Sequence, residues 1–154
     1  NVVTSIEVTP GDVHDSPQFA GLVERTGQNF KIAEVSADKA YLARQNLDAV
    51  ERSGGTPYIP FKLNSRPRKH EAWQRLWHLY NYRKAEFLTH YHQRSNVEST
   101  FSAIKRKFGG NLRSKKYESQ RNELLCKILA YNLTCVVHSI YELGIAPEFS
   151  VEAK

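Results

Sequence analysis

Four side chains suited to metal and phosphate chemistry lie within fifteen residues of one another in this sequence. They are Tyr91, Arg94, Glu98 and Lys105, at offsets of 0, 3, 7 and 14 along the chain. At roughly 100° per helical residue, these offsets fall within about 60° of one another, so on one continuous helix all four share a stripe. A carboxylate binds a hard divalent cation, and neighbouring Arg and Lys side chains bind phosphate. The spacing therefore predicts a helix that presents a metal-and-phosphate site.

A second carboxylate suits the same chemistry. Asp38 comes at the carboxyl end of Lys31–Val35, a run predicted as a buried strand, and functional groups gather at such strand ends in open α/β sheets. Two Mg²⁺ or Mn²⁺ ions roughly 4 Å apart can activate the attacking oxygen and stabilise the leaving oxygen at phosphorus. Taken alone, Asp38 fits a helix cap and Glu98 a surface ion pair. Taken together, they predict metal ligands.

Basic charge is concentrated in the middle of the chain. Residues 62–121 hold 15 Lys and Arg against 4 Asp and Glu, whereas residues 1–61 have a net charge of −3 and residues 122–154 of −2. This asymmetry is expected when the partner is a polyanion. Arg106 and Lys107 adjoin Lys105 and are predicted to add salt-dependent contacts to a nucleic-acid backbone. Residues 62–70 are basic and turn-prone, which indicates a linker or insertion.

The bulk composition predicts one globular, cytoplasmic domain. Hydrophobic residues make up 40% of the chain and aromatic residues 11%, which excludes a disordered tail. We find no signal peptide and no apolar run near the roughly 20 residues of a membrane span. Cys126 and Cys135 lie nine residues apart in one predicted helix, too far for a disulfide. The chain begins at Asn1 and contains no methionine, so we expect a piece of a longer protein.

The order of predicted elements is βαβαβ followed by helices, which indicates an α/β domain whose sheet is covered on both faces. The predicted strands are Val2–Val8, Lys31–Val35 and Thr56–Pro60, and the predicted helices are Ser16–Gln28, Tyr41–Arg52, Glu71–Thr89, Ser95–Phe108 and Asn122–Leu143. The predicted buried stripe of the motif helix is Val97, Phe101, Ile104 and Phe108. The last helix is apolar on most sides, so it is either buried or faces a partner.

Other candidates carry weaker signals. His90 and His92 flank Tyr91 as an H-x-H pair, but no third zinc ligand has suitable spacing, which favours ordinary histidines. Trp73 and Trp77, four residues apart, favour a packing stripe over a base-stacking platform. Asp15 is predicted to cap the first helix, with Gln18 completing a capping box.

The tetrad resembles the signature of prokaryotic insertion-sequence transposases of the DDE type, Tyr-(2)-Arg-(3)-Glu-(6)-Lys. The surrounding sequence is similar to that family too, over nearly the whole chain. The similar segments are His14–Pro17, Ala37–Tyr41, Pro57–Lys62 and Gln120–Leu129.

The resemblance implies a ribonuclease-H-like (retroviral-integrase-like) mixed sheet flanked by helices, lacking its first two strands here, so that residues 1–154 are the C-terminal portion of a catalytic domain. It implies that Asp38 and Glu98 are catalytic metal ligands and that Tyr91, Arg94 and Lys105 contact the DNA end. The implied cofactor is Mg²⁺ or Mn²⁺, as two ions. The implied partners are transposon-end and target DNA, bound by a homodimer or larger assembly at the prokaryotic nucleoid.

One departure from the family pattern matters. The family's first catalytic Asp lies on a strand that this chain lacks, and neither Asp12 nor Asp15 occupies the matching position. We therefore expect the chain to be catalytically incomplete. A non-catalytic DNA-binding or assembly remnant of a transposase is the alternative function. A metal-dependent nuclease of the same fold is a third possibility, against which the tetrad argues.

Overall fold

The computed structural model describes residues 1–146, and the chain divides into two compact units. One unit is Thr4–Asn96; the other comprises Asn1–Val3 and the chain from Val97 onward. The helices and strands are α1 (Phe19–Gly27), β1 (Glu34–Ser36), α2 (Arg44–Arg52), β2 (Thr56–Tyr58), α3 (Glu71–Tyr82), α4 (Lys84–Tyr91), α5 (Ser95–Phe108) and α6 (Tyr117–Leu143). Short 3₁₀ turns lie at Ser16–Gln18, Lys39–Tyr41 and His92–Arg94.

The strands β1 and β2 pair in parallel, with Val35 opposite Pro57. Parallel neighbours need a crossover connection, and α2 supplies it. The ladder continues one step past β1, where the N–H of Ala37 donates to the carbonyl of Tyr58 at 3.3 Å. The predicted α/β organisation is confirmed for this part of the chain. Both strands are shorter than predicted, and β1 begins three residues later.

The predicted strand Val2–Val8 is wrong, because residues 1–8 form no strand in the described structure. The N–H of Val3 donates to Asn132 Oδ1 at 2.9 Å, and its carbonyl accepts from Asn132 Nδ2 at 2.8 Å. A side-chain amide thus satisfies this peptide group in place of a neighbouring strand. Alternating β-branched residues show what fits a sheet surface, but a strand also needs a partner to pair with.

The core of the Thr4–Asn96 unit is an apolar cluster contributed by α1 to α4, β2 and the loops between them. Its members are Phe19, Val23, Ile32, Ala37, Leu47, Val50, Tyr58, Ile59, Phe61, Ala72, Trp73, Leu76 and Phe87. Trp73 and Trp77 both meet Phe61 edge-on, with ring centroids 5.1 and 4.9 Å away. These contacts confirm that the tryptophan pair is a packing stripe.

Gly55 fills the tightest glycine position in this core. A Cβ there would lie 2.9 Å from Ile32 Cγ2 and 3.3 Å from Val50 Cγ1. We expect Gly55→Ala to lower the free energy of unfolding by about 1–3 kcal/mol, because the added methyl overpacks the site. Gly21→Ala in α1 is the matched control, since a Cβ there meets no described atom within 4 Å, and it is expected to raise stability by up to about 1 kcal/mol. Urea unfolding measures both, and equal effects would contradict the packing argument.

The predicted helix Glu71–Thr89 is two helices, separated at Arg83. Arg83 has φ −126° and ψ 43°, outside the helical region. In a straight helix, residues seven apart are about 10 Å apart along the axis. The break instead brings the rings of Tyr80 and Phe87 to a centroid distance of 5.0 Å. Packing of the two aromatic rings therefore accounts for the break, which no Gly or Pro in this segment predicts.

The last helix begins five residues before the predicted Asn122 and ends at Leu143, followed by Gly144 with φ +64°. Among its described apolar side chains, Ile128 is buried, while Leu129, Leu133 and Val137 form an exposed stripe. This exposure favours the interpretation that the last helix faces a partner over the interpretation that it is buried.

By length and composition, α6 would also be able to cross a membrane. It has 27 residues, and its most apolar window has a mean hydropathy of 1.4 with 6% of that window buried. This finding corrects the expectation that no segment approaches a membrane span. One such helix is weak evidence for a membrane protein.

Candidate functional site

Asp38 lies two residues beyond β1, immediately before the 3₁₀ turn Lys39–Tyr41. Its backbone carbonyl accepts from the N–H of Tyr41 at 2.9 Å, whereas its carboxylate makes no capping hydrogen bond among the described residues. The following helix α2 begins later, at Arg44, with Ala43 before it. The interpretation of Asp38 as a helix cap is therefore wrong. Its carboxylate stands at the carboxyl end of a strand and does not hold the next helix.

Asp15 is the second carboxylate in this region. The predicted capping box is wrong, because Asp15 already has helical φ −74° and ψ −29° and its side chain makes no capping bond in the described structure. A capping residue requires an extended backbone. Burial raises the pKa of the Tyr41 phenol, and the negative charges of Asp15 and Asp38 raise this pKa further. The two carboxylates therefore lie near the same phenol.

Asn46 on α2 joins the two segments that carry these carboxylates. It is fully buried, and its Nδ2 donates to the carbonyl of Tyr41 at 2.9 Å and to Ser16 Oγ at 3.3 Å. The sequence patterns did not predict this positioning residue. The signal in the sequence was the position of Asn46 itself. It lies next to Leu47 and on the same face of α2 as Val50, where an apolar residue would be expected.

The end of α4 is bonded to β1. Ser36 Oγ donates to the carbonyl of His90 at 2.9 Å, and His90 Nδ1 pairs with Glu34 Oε2 at 2.5 Å. The His90 ring stacks on Tyr58, with centroids 4.4 Å apart. The 3₁₀ turn His92–Arg94 packs against β1 as well. These contacts bring the first half of the tetrad to the strand that Asp38 follows.

The tetrad does not lie on one helix, so the predicted single stripe is wrong. Tyr91 ends α4, Arg94 ends the 3₁₀ turn, and Glu98 and Lys105 lie on α5. A 3₁₀ turn has 3.0 residues per turn, which shifts the angles between side chains on either side of it. Arg94 is held by a different contact, because its guanidinium carbon lies 5.9 Å from the Tyr91 ring centroid.

The second half of the tetrad keeps its predicted relation. Glu98 lies in the first turn of α5, and Lys105, Arg106 and Lys107 lie in its last turn. Residues seven apart on a helix differ by only about 20°, so Glu98 and Lys105 share a face. The side chains of Glu98, Lys105, Arg106 and Lys107 are all exposed. This placement also suits the helix dipole, with the acid at the amino end and the cations at the carboxyl end.

The predicted buried stripe of α5 is confirmed at Ile104 but is wrong at Val97 and Phe101. Val97 and Phe101 are 53% and 45% exposed, whereas Thr100 and Ile104 are buried. The hydroxyl of Thr100 hydrogen-bonds with Tyr131 on α6, which satisfies a polar group on the buried face. A pattern that counts only apolar residues passes over a threonine with such a partner.

Glu123 on α6 holds the basic loop between α5 and α6. Its carboxylate accepts from the N–H groups of Arg113 and Ser114, at 2.9 and 3.0 Å. These two backbone bonds lower the pKa of Glu123 to about 2. Lys127, one turn along, donates to the carbonyl of Asn111 at 2.8 Å. The loop that follows the cationic end of α5 is therefore bonded to α6 at several points.

We expect Glu123→Gln to increase amide hydrogen exchange at Arg113 and Ser114, because an amide oxygen is a weaker acceptor than a carboxylate. In the unsubstituted chain, the stabilisation is present above the ordinary pKa of a glutamate and is lost as pH falls toward about 2, since the folded-state pKa is the lower one. Hydrogen exchange followed by NMR measures both effects. Exchange rates unchanged in the variant would contradict this role, and Glu118→Gln, one turn earlier on α6, is the control.

Within residues 1–146, no three His, Cys, Asp or Glu side chains come together as a metal-binding group. In this part of the chain, His90 and His92 therefore lie near no third side chain of the kind that a zinc site needs. Asp38 and Glu98 belong to different units. Carboxylate oxygens are nevertheless the donors that Mg²⁺ and Mn²⁺ prefer.

One unit presents the carboxylate of Asp38 beyond the end of a strand, and the other presents Glu98, Lys105, Arg106 and Lys107 along α5. The family model described as Transposase DDE domain matches residues 1–133. The chain belongs to this family, whose members are transposases, a class of enzymes that cleave DNA. Comparison with solved structures finds no match.

Proposed function

We propose that this chain is the catalytic part of an insertion-sequence transposase with the Tyr-(2)-Arg-(3)-Glu-(6)-Lys signature, built on a ribonuclease-H-like sheet. Family membership over residues 1–133 supports this proposal. The observation that carries it is the bonding of the α4 end to β1 through Ser36 and His90. Ser36 comes two residues before Asp38, and His90 comes one residue before Tyr91. The bond between Ser36 and His90 therefore supports a site that Asp38 and Tyr91 share.

In this proposal Asp38 and Glu98 are the carboxylates that hold Mg²⁺ or Mn²⁺. Bound metal would activate the attacking oxygen and stabilise the leaving oxygen in a displacement at phosphorus. Arg94, stacked on Tyr91, and Lys105 bind phosphates of the DNA end, the Arg as a planar fork and the Lys as a point charge. Arg106 and Lys107 add contacts to the backbone. The reaction is hydrolysis at a transposon end, followed by attack of the freed 3′-hydroxyl on target DNA.

The partners in this proposal are transposon-end and target DNA in the prokaryotic cytoplasm. The exposed stripe Leu129, Leu133 and Val137 on α6 supports a homodimer or larger assembly on DNA, because contiguous exposed apolar patches mark interaction surfaces. A membrane is not part of this proposal.

The experiment that tests the function is nicking of supercoiled plasmid by the protein expressed from its full reading frame. We expect nicking in Mn²⁺ or Mg²⁺ and none in EDTA. DNA binding without nicking in either metal would favour the alternative, a non-catalytic DNA-binding or assembly module. Absence of DNA binding would overturn both functions.

A further inference from the structure

A second basic surface lies outside the tetrad, in the loop between β2 and α3. The loop and the first turn of α3 enclose a cleft of about 320 Å³. We call it the loop cleft; it is lined mainly by Lys62, Asn64, Ser65, Arg66, Arg68 and Trp73. This segment includes residues 62–70, which were predicted to be a linker or insertion, and in the structure it is concave and cationic.

The loop cleft is held in shape by its own contacts. Trp73, a core residue that is 5% exposed, donates from Nε1 to the carbonyl of Arg66 at 3.1 Å. The N–H of Ser65 donates to the carbonyl of Lys62 at 2.9 Å, closing a turn. The guanidinium carbon of Arg68 lies 4.8 Å from the Trp73 ring centroid. A core side chain thus fixes both the backbone and one cation of the cleft before any ligand arrives.

Within residues 1–146, no carboxylate pairs with the cations of the cleft, which are Lys62, Arg66 and Arg68. Two acidic residues beside His70, at the end of this loop, pair with other side chains. Asp48 pairs with His70 at 3.2 Å, and Glu71 pairs with Arg75 at 3.4 Å. Among the described residues, three cations therefore line one concavity without a paired carboxylate, which favours a polyanion.

We infer that the loop cleft is a second DNA-binding site of this chain, which takes backbone phosphates of a duplex. Arg66 and Arg68 bind the phosphate oxygens as planar forks, and Lys62 adds a point charge. Ser65 and Asn64 supply polar groups of the kind that contact phosphates beside the cations. Such contacts position a duplex and read no sequence. This inference rests on the proposed function only in taking DNA as the polyanion.

An ordinary solvated loop would carry the same charges but would not hold them around a cavity. Immobilising an arginine side chain on binding costs rotamer freedom. The stacking of Arg68 on Trp73 meets part of that cost in the unbound protein. The geometry therefore separates a built site from a basic surface.

The test is fluorescence anisotropy of a labelled duplex with the full chain, over a range of salt concentrations. Arg66→Gln/Arg68→Gln is expected to reduce the slope of log K against log salt by about 1.8, since each lost phosphate contact removes about 0.9. The control is Lys31→Gln/Lys84→Gln, which removes two exposed cations elsewhere in the same unit and so matches the change in net charge. Its slope is expected to stay within about 0.5 of the unsubstituted chain. Equal slopes in the two double variants would overturn the loop cleft.

A second measurement reports on the cleft directly. The chain has two tryptophans, so Trp77→Phe leaves Trp73 as the only indole, with Arg68 above it. We expect its emission to change on addition of the unlabelled duplex, and the change to be lost in the background that also carries Arg68→Gln. An emission that does not respond to a saturating duplex would refute the site. If the unsubstituted chain bound no DNA at all, both the loop cleft and the proposed function would be refuted. DNA binding without an effect of Arg66 and Arg68 would refute the loop cleft alone.

Discussion

Glu98→Gln in the protein from the full reading frame is expected to abolish metal-dependent strand cleavage while DNA affinity stays within about twofold. Glutamine keeps the size of the side chain and removes the negative charge that a hard cation requires. Removing one member of a catalytic set that acts as a unit lowers the rate by roughly 10³-fold or more. Glu98 is exposed on the first turn of α5, so we expect the fold to be retained.

The competing interpretation makes Glu98 a surface ion-pair partner that favours the helix dipole. That role predicts a small loss of stability and unchanged cleavage. Glu118→Gln is the control, because Glu118 is also an exposed acid in the first turn of a helix. The measurements are plasmid nicking in Mn²⁺, duplex binding and thermal unfolding. Cleavage retained by Glu98→Gln would remove Glu98 from the metal ligands.

Local patterns in the sequence predicted the local elements well. The helix Ser95–Phe108 has the predicted bounds, because Gly109, with φ +84°, ends it as a glycine in the left-handed region does. The βαβ unit around α2 was also predicted. Asp38 was predicted as a site residue from one rule of α/β sheets, that functional groups lie beyond the carboxyl ends of strands; its position two residues beyond β1 agrees with that rule, and its role stays a prediction.

What the sequence did not predict depends on contacts between distant residues. Val3 bonds to Asn132, which lies 129 residues away. The alternation within Val2–Val8 therefore could not predict the hydrogen-bond partner of Val3. The break at Arg83 follows from rings that meet across it. Asn46 acts through Ser16 and Tyr41, and a single amide carries no periodicity. In each case a tertiary contact prevailed over a local preference.

Phe87→Ala is expected to have the largest effect on stability, because one side chain packs in the core and also against Tyr91 of the tetrad. Phe87 is 0% exposed, and its ring lies 5.7 Å from Tyr58, 5.0 Å from Tyr80 and 5.9 Å from Tyr91 by centroid distance. Truncation should lower the free energy of unfolding by about 3–5 kcal/mol, through lost burial and the cavity left behind.

The same substitution should also weaken DNA binding if Tyr91 contacts the DNA end, because Tyr91 stacks on Phe87. Phe87→Leu, which retains an apolar side chain and a folded chain, separates this effect from unfolding: its affinity for a transposon-end duplex is expected to fall while its fold persists. Phe101→Ala is the control for stability, since Phe101 is 45% exposed and should cost less than half as much in urea unfolding. Equal losses of stability in the two alanine variants would contradict the role of Phe87 burial in holding the end of α4. The position of Tyr91 would then depend on the neighbouring bond between Ser36 and the carbonyl of His90.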